Sequence, residues 1–316
     1  MGNGLAGIQW PSITVVVPSY QQAAFLEETL RSVLLQGYPN LELLVMDGGS
    51  TDGSVEIIRR YDKWIDGWVA EKDGGQTAAI NKGWRRAKGE CLTWLNSDDV
   101  LAPNWARETA RVLSSEPDVD IAYCDVQTID VDSRPLWVYP GQTPTIEQMV
   151  IYWKTTFAQQ GFLMRRRVLD ACGPLDEQRQ FAMDTEYWLR LLSAGRKFRH
   201  VPQILGRVRL HGATKTSMMH DVHVADLVEV TSDFCQKAPP EMRDLADRAR
   251  RRLQWNVAHA KYDGRVHVEA RKAALRYMRE GGWRVLPQAS AMVVLSCLGE
   301  PGHKALELFR RLRSST

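Results

Sequence analysis

The chain has 316 residues, of which 44% are hydrophobic and 25% charged, with a formal net charge of +3. This is the composition of a folded globular protein with one large domain and an appendage, or two domains, and it excludes wholesale disorder. So small a charge leaves no electrostatic footprint for nucleic acid.

The N-terminus, MGNGLAGIQWPS, lacks the basic and apolar regions of a signal peptide, and Ala6 breaks the myristoylation pattern that Gly2 begins, so export and lipidation are not expected. Ile13 to Val17 is a β-branched run ending at Pro18. Ala24 to Gln36 follows as a helix with Leu26, Leu30, Val33 and Leu34 on one face, stopped by Gly37 and Pro39. Leu41 to Met46 is a second strand ending in Asp47-Gly48-Gly49, and Ser54 to Tyr61 a helix after the turn STDG. Thr77 to Ala87 reads as a helix, Glu90 to Leu95 as a strand and Trp105 to Leu113 as a helix. This alternation predicts an α/β fold with a mostly parallel sheet covered on both faces.

From Asp120 the pattern loosens. Ile121 to Val126 and Gly161 to Arg165 read as strands, residues 132 to 148 as a Pro-rich loop, and Thr185 to Ala194 as a helix introduced by Asp184. Beyond about residue 217 the pattern is helical, with Arg-rich stretches at 248–252 and 310–313. No stretch reaches the roughly 18 to 20 apolar residues of a membrane span; the nearest, Ala289 to Leu298, reads as a buried helix. The cysteines at 91, 124, 172, 235 and 297 form no C-x-x-C pair. They are expected to be reduced core residues in a reducing compartment.

The strand ends carry the chemistry. Leu92 to Asp99, LTWLNSDD, runs from an apolar strand into two carboxylates, at the edge where open α/β sheets bind ligands. Paired carboxylates there suit a hard cation that takes one or two protein oxygens and completes its shell with water and substrate phosphate, implying a diphosphate. A solvated acidic turn that caps the helix near Pro103 explains the same residues. At the neighbouring strand ends, Tyr20 can lie against a flat base and Asp47 can accept an N–H from a pyrimidine, while Gly48, Gly49 and Gly53 let the backbone bend. Turn formation alone accounts for any one of these residues; their placement at successive strand ends favours a site.

Six strings in order, ITVVVPSY, VMDGGSTDGS, EKDGGQTAAINKG, AKGECLTWLNSDD, FAMDTEYWLRLLSAG and RVRLHGATKT, resemble the inverting glycosyltransferases of family 2 over residues 12 to 215. The resemblance implies a GT-A, Rossmann-like sheet flanked by helices, with a catalytic domain over 1–216 and a helical C-terminal region over 217–316. It implies a nucleoside-diphosphate sugar donor, with a UDP-sugar expected although dTDP- and GDP-sugars use the same scaffold, and a divalent cation, Mn²⁺ or Mg²⁺. The acceptor it implies is a hydroxyl of a glycan or lipid-linked saccharide in cell-surface polysaccharide synthesis.

Carried over by residue, Pro18, Ser19, Tyr20 and Asp47 contact base and ribose. Asp99 binds the cation, and Asp98 faces the ribose or lies behind the metal. Asn96 replaces the common Asp, where a neutral amide still bonds a ribose hydroxyl, and Ser97 belongs to the same donor segment. Asp73 to Gln76, with Gly75, and the helix bearing Asn81 and Lys82 pass beneath the donor, a solvated helix face being the other reading of Lys82. His211 approaches the metal or diphosphate. Asp184 is the base that takes the proton of the attacking hydroxyl, a place where an Asp also serves as helix N-cap. Glu186 is structural or an acceptor contact. Gln159 and Gln160 lie near the acceptor cleft, and Trp153 and Trp188 form a sugar floor or belong to a core. His220 and His223 read as surface.

Two other classes compete with this reading. A nucleotidyltransferase needs a Gly-rich, basic loop after its first strand, and PSYQQAAF has neither glycine nor Lys or Arg. A silent nucleotide-sugar-binding scaffold would lack the base or a metal ligand, and Asp99 and Asp184 are both present. Segments Arg243 to Leu253 and Lys304 to Leu312 combine apolar and basic faces, for an anionic membrane surface or as solvated faces of packed helices. The expected location is cytoplasmic, with possible peripheral contact at the inner face of the cell membrane.

Overall fold

The computed structural model describes residues 10–179, 181–212, 220–263, 267–281 and 285–299 and residue 301. The chain divides into two compact units, residues 1–146 with 155–214, and residues 147–154 with 215–316.

The first unit runs β1 (Ile13–Ser19), α1 (Ala23–Leu34), β2 (Leu41–Asp47), α2 (Ser54–Arg60), β3 (Gly67–Ala70), α3 (Gln76–Arg86), β4 (Cys91–Trp94), β5 (Val100–Leu101), α4 (Trp105–Ser115), β6 (Ile121–Ile129) and β7 (Pro135–Tyr139). After α5 (Ile146–Tyr152), most of which belongs to the second unit, come β8 (Leu163–Arg165), α6 (Arg166–Cys172), α7 (Met183–Ser193) and β9 (Phe198–Arg209). The strands hydrogen-bond in the order β3-β2-β1-β4-β8-β6-β9-β5, with β7 added to β6. Strands β1 to β4 are mutually parallel. Antiparallel β8 separates β4 from β6, so β6 runs the same way as β4, and β9 is parallel to β6. The long strands therefore end at one edge of the sheet.

Burial explains the elements. Every residue of β1 is buried, and Leu26, Leu30 and Val33 of α1 pack in one cluster with Val15, Val17 and Val45. Each such side chain contributes about 1.5–3 kcal/mol on leaving water. An aromatic core of Trp84, Trp94, Phe162, Tyr187 and Trp188 joins α3, β4 and α7. Helix α3 lies directly on β1 at Gly83, where a Cβ would stand 2.4 Å from Val16 Cγ1.

The structure corrects the second half of the sequence reading. Residues 132–148, expected as loop, contain β7 and the start of α5. Pro135 is the first residue of β7, where a missing N–H is tolerated. Strand β9 was hidden by Pro202 and Gly206, and a register shift opposite Cys124 and Asp125 absorbs the irregularity. Of the cysteines, Cys91 and Cys124 are buried as expected, but Cys172 and Cys235 are partly exposed and Cys297 is exposed.

The second unit contains α8 (His220–Lys237), α9 (Arg243–Asp263), α10 (His267–Gly281) and α11 (Leu286–Leu298). Small residues let the last three pack closely, with Ala258, Tyr262, Ala270, Ala273, Ala274 and Met292 in a common cluster. Trp153 belongs to this unit and donates to Thr231 at 2.9 Å. The expectation of a buried helix at 289–298 holds for Ala289 and Met292, whereas Val294 and Leu298 are exposed. Arg248 pairs with Glu147 and Arg250 with Asp247, so part of the basic face of α9 is engaged within the unit. Residues 304–312 lie outside the described residues, as does the His220 side chain, and His223 is partly exposed. No described helix is long and apolar enough to cross a membrane.

Candidate active site at the strand ends

Strands β1 and β2 end in register, with Ser19 opposite Asp47. The buried Asp47 carboxylate collects four donors. Its Oδ1 accepts the N–H groups of Gly49 and Ser50 at 3.0 and 2.7 Å, and its Oδ2 the hydroxyls of Ser19 and Ser50 at 2.9 and 2.7 Å. Asp47 and Ser19 thus set the loop after β2 rather than offer free polar atoms, and Pro18 is buried within β1. Tyr20, 62% exposed, presents its ring to solvent at this edge. It closes with Asp73 over Gly48, where a Cβ would stand 3.3 Å from Tyr20 Cδ2 and 3.2 Å from Asp73 Oδ1.

The turn after β4 separates the two carboxylates expected to act together. Asp99 is 2% exposed. Its Oδ2 accepts from Asn96 Nδ2 at 3.0 Å and Gln160 Nε2 at 2.7 Å, and its Oδ1 from the Arg209 N–H at 3.0 Å. Burial and neighbouring Asp98 push its carboxyl well above the ordinary carboxylate range, against the pull of those three donors. Asp99 is thus enclosed by the turn and by its partners Gln160 and Arg209. Asp98 Oδ2 lies 3.1 Å from His211 Nε2, with side chains 18% and 7% exposed. The His211 ring rests against Phe25 at 4.9 Å between centroids. Ser97 is buried beside them.

The segment before α3 connects this turn to α7. Gly75 adopts φ +101° and donates to Asp73 Oδ1 at 2.8 Å. Gln76 Nε2 donates to Asn96 Oδ1 at 2.7 Å. Thr77 Oγ1 lies 3.0 Å from the Arg179 carbonyl and 2.9 Å from Met183 Sδ, and Asn81 Nδ2 donates to the Leu175 carbonyl at 2.9 Å. Asp184 is the next residue after Met183. The α7 N-cap is Ala182, so Asp184 lies in the first turn, where its charge suits the helix dipole, and it accepts the Thr185 N–H at 2.7 Å. Lys82 pairs with Glu71 at 2.9 Å beyond the end of β3.

Three of the acceptor-side candidates, Gln160, Glu186 and Trp188, are engaged within the protein. Gln160 is buried and serves Asp99. Glu186 holds Arg190 through both carboxylate oxygens at 2.9 Å, and Arg190 bonds the Cys172 and Pro174 carbonyls. Trp188 is enclosed by Trp94, stacked at 5.7 Å, with Phe157 and Phe162, so it is core and not a sugar floor. Arg209, absent from the sequence-derived site, is central. A charged residue two positions before His211 was its only signal, and burial of a guanidinium is invisible in sequence.

Among the described residues no three His, Cys, Asp or Glu side chains gather as a metal cluster. The Asp98 carboxylate and His211 imidazole nevertheless fit a divalent cation that keeps its other positions for diphosphate oxygens and water.

Residues 14–173 match the family model described as glycosyl transferase family 2. An uncharacterized glycosyltransferase of Rickettsia typhi is 28% identical over 214 residues, 66% of each chain. A putative teichuronic acid biosynthesis glycosyltransferase of Bacillus subtilis, TuaG, is 38% identical over 93 residues, 28% of this chain and 36% of that protein. The chain thus spans two thirds or less of these curated relatives. Among solved structures, S. aureus TarS 1–349 in complex with UDP-GlcNAc aligns with TM-score 0.61 at 15% identity over 92% of this chain and 88% of that one. The mannosyltransferase PcManGT from Pyrobaculum calidifontis, in complex with GDP-Man and Mn²⁺, aligns with TM-score 0.60 at 19% identity over 93% and 82%. These likenesses show the fold, the GT-A architecture expected from the sequence.

Proposed function

Because this chain belongs to glycosyl transferase family 2, we propose that it moves a sugar from a nucleoside-diphosphate sugar to an acceptor hydroxyl with inversion at the anomeric carbon. The observation that carries this reading is the hydrogen-bonded path along the strand ends. Asp98 meets His211, Asn96 of the same turn accepts from Gln76, and Thr77 reaches Met183, beside Asp184. Donor-side and base-side residues are thereby held in one frame.

Tyr20 offers its exposed ring to the base, and Asp73 and Gly75 border the same edge. Asp98 and His211 would hold the cation, which when bound supplies positive charge to the leaving diphosphate. Asp184 takes the proton of the acceptor hydroxyl as that oxygen bonds to the anomeric carbon and the carbon–oxygen bond to the diphosphate breaks. One displacement inverts the centre. The fixed dipoles of the site need no reorganisation during this step. The UDP-GlcNAc and GDP-Man complexes of the structural neighbours support a nucleotide-sugar donor, with a UDP-sugar as first choice. TuaG supports an acceptor in cell-surface polysaccharide synthesis.

The test is binding and turnover across UDP-, dTDP- and GDP-sugars with Mn²⁺ or Mg²⁺. One donor is expected to bind in a cation-dependent manner, with binding lost in Asp98→Ala and only turnover lost in Asp184→Asn. Absence of binding by every donor with either cation overturns the reading.

A further inference from the structure

The Arg209 side chain is 0% exposed, so it cannot touch a donor or acceptor, yet the residue bonds both acidic residues of the turn. Its Nε donates to the Asp98 carbonyl at 3.0 Å, and its own backbone N–H to Asp99 Oδ1 at 3.0 Å. Its Nη1 donates to the Asp130 carbonyl and Ser133 Oγ at 3.0 and 2.9 Å, and its Nη2 to Glu28 Oε2 at 2.6 Å. The guanidinium lies over the Phe25 ring at 4.9 Å, and that ring also packs on His211.

These contacts converge on the pair proposed to hold the cation. The Arg209 side chain fixes the main chain of Asp98, and its backbone leads in two residues to His211. One residue therefore sets both halves of the Asp98–His211 spacing. Ser133 Oγ also donates to both Glu28 carboxylate oxygens, at 2.8 and 2.9 Å, so α1 and the β6–β7 turn are tied into the same clamp.

We propose that Arg209 is a positioning residue that presets Asp98 and His211 for a divalent cation bound with a nucleoside diphosphate, with Glu28 as its charged anchor. The inference rests on the cation reading of that pair. A lysine keeps the charge but cannot reproduce the planar, several-donor geometry of the guanidinium. Loss of groups that orient metal ligands costs about 10- to 100-fold in metal affinity.

The experiment measures free Mn²⁺ by electron paramagnetic resonance while full-length protein with saturating UDP is titrated. UDP affinity without metal and thermal unfolding are recorded alongside. Arg209→Lys is expected to weaken Mn²⁺ binding by about 10-fold or more while metal-free UDP binding is kept. Arg165→Lys, which disturbs another guanidinium that bonds backbone carbonyls, at Val119 and Glu116, controls for general loss of structure and should leave Mn²⁺ affinity unchanged. A folded Arg209→Lys with wild-type Mn²⁺ affinity overturns the inference while leaving the cation reading intact. If Arg209→Lys does not fold, Glu28→Gln decides: weaker Mn²⁺ binding supports the clamp, and unchanged binding overturns it. No Mn²⁺ binding by wild type overturns the cation reading, and the inference with it.

Discussion

Asp98 and Asp99 are neighbours in the chain, but Asp98 meets His211 at 3.1 Å whereas Asp99 is enclosed by Asn96, Gln160 and Arg209. Substitutions at the two positions should therefore fail differently. Asp98→Ala should abolish cation-dependent donor binding with little change in thermal unfolding. Asp99→Ala strands three buried donors, at about 1–3 kcal/mol each, and should appear first as a lower unfolding temperature. Calorimetry and Mn²⁺ titration of both variants check this; the reverse pattern would return the cation to Asp99.

Asp184 occupies the first turn of α7 without being its N-cap. Replacement by Asn keeps size and helix geometry but removes the proton acceptor. We expect kcat to fall by about 10² to 10⁴, with donor affinity unchanged by equilibrium binding. An equal loss of donor affinity would mean that Asp184 serves the donor and not the acceptor.

Asp52 stabilises two helix starts at once. Its Oδ2 accepts the Ala23 N–H of α1 at 2.9 Å, and its Oδ1 the Ser54 N–H and hydroxyl of α2 at 3.1 and 2.6 Å. Burial pushes its carboxyl up, but the Ser54 hydroxyl and the N–H groups of Ala23 and Ser54 together hold it below the ordinary value of 3.8. A depressed carboxyl contributes stability above its unfolded-state value, and that contribution is lost as pH falls through the folded-state value. Asp52→Ala should cost about 1 kcal/mol at neutral pH, as for other lost caps. The difference from wild type should shrink in unfolding curves taken below about pH 4. A constant difference across that range would refute the charge contribution.

Trp188 lies in the aromatic core with Trp94, Phe157 and Phe162. Trp188→Ala should destabilise the protein by about 3–5 kcal/mol. Trp188→Phe should retain the acceptor KM while lowering the unfolding temperature. A raised acceptor KM in a stably folded Trp188→Phe would restore the sugar-floor role.

Most of the first half of the fold was legible because its signals are local, whereas the short strands β3 and β5 were not read from the sequence. The β-branched run at Ile13 to Val17, the amphipathic spacing of Leu26, Leu30 and Val33, and Asp47-Gly48-Gly49 after β2 specify strand, helix and turn without distant partners. In β9 the same local rules pointed away from a strand, because Pro202 and Gly206 are tolerated only through a register shift against β6. Among the proposed site residues, Tyr20 and Asp98 were named from their strand-end positions and Asp184 and His211 from the family resemblance, which gave the cation to Asp99 and not to Asp98.

The sequence alone determined the family, the alternating sheet and the stretch that holds the acidic turn. Only the tertiary structure decided which carboxylate is enclosed by partners from distant parts of the chain. The Asp99 partners Gln160 and Arg209 lie 61 and 110 residues further along the chain, and no local pattern states that they converge. The same holds for Gln160, Glu186 and Trp188, whose chemistry suits a sugar and whose bonds to Asp99, to Arg190 and within the aromatic core appear only in the folded chain. Residue type fixes what a side chain can do, but only packing decides whether water, a ligand or another part of the chain reaches it.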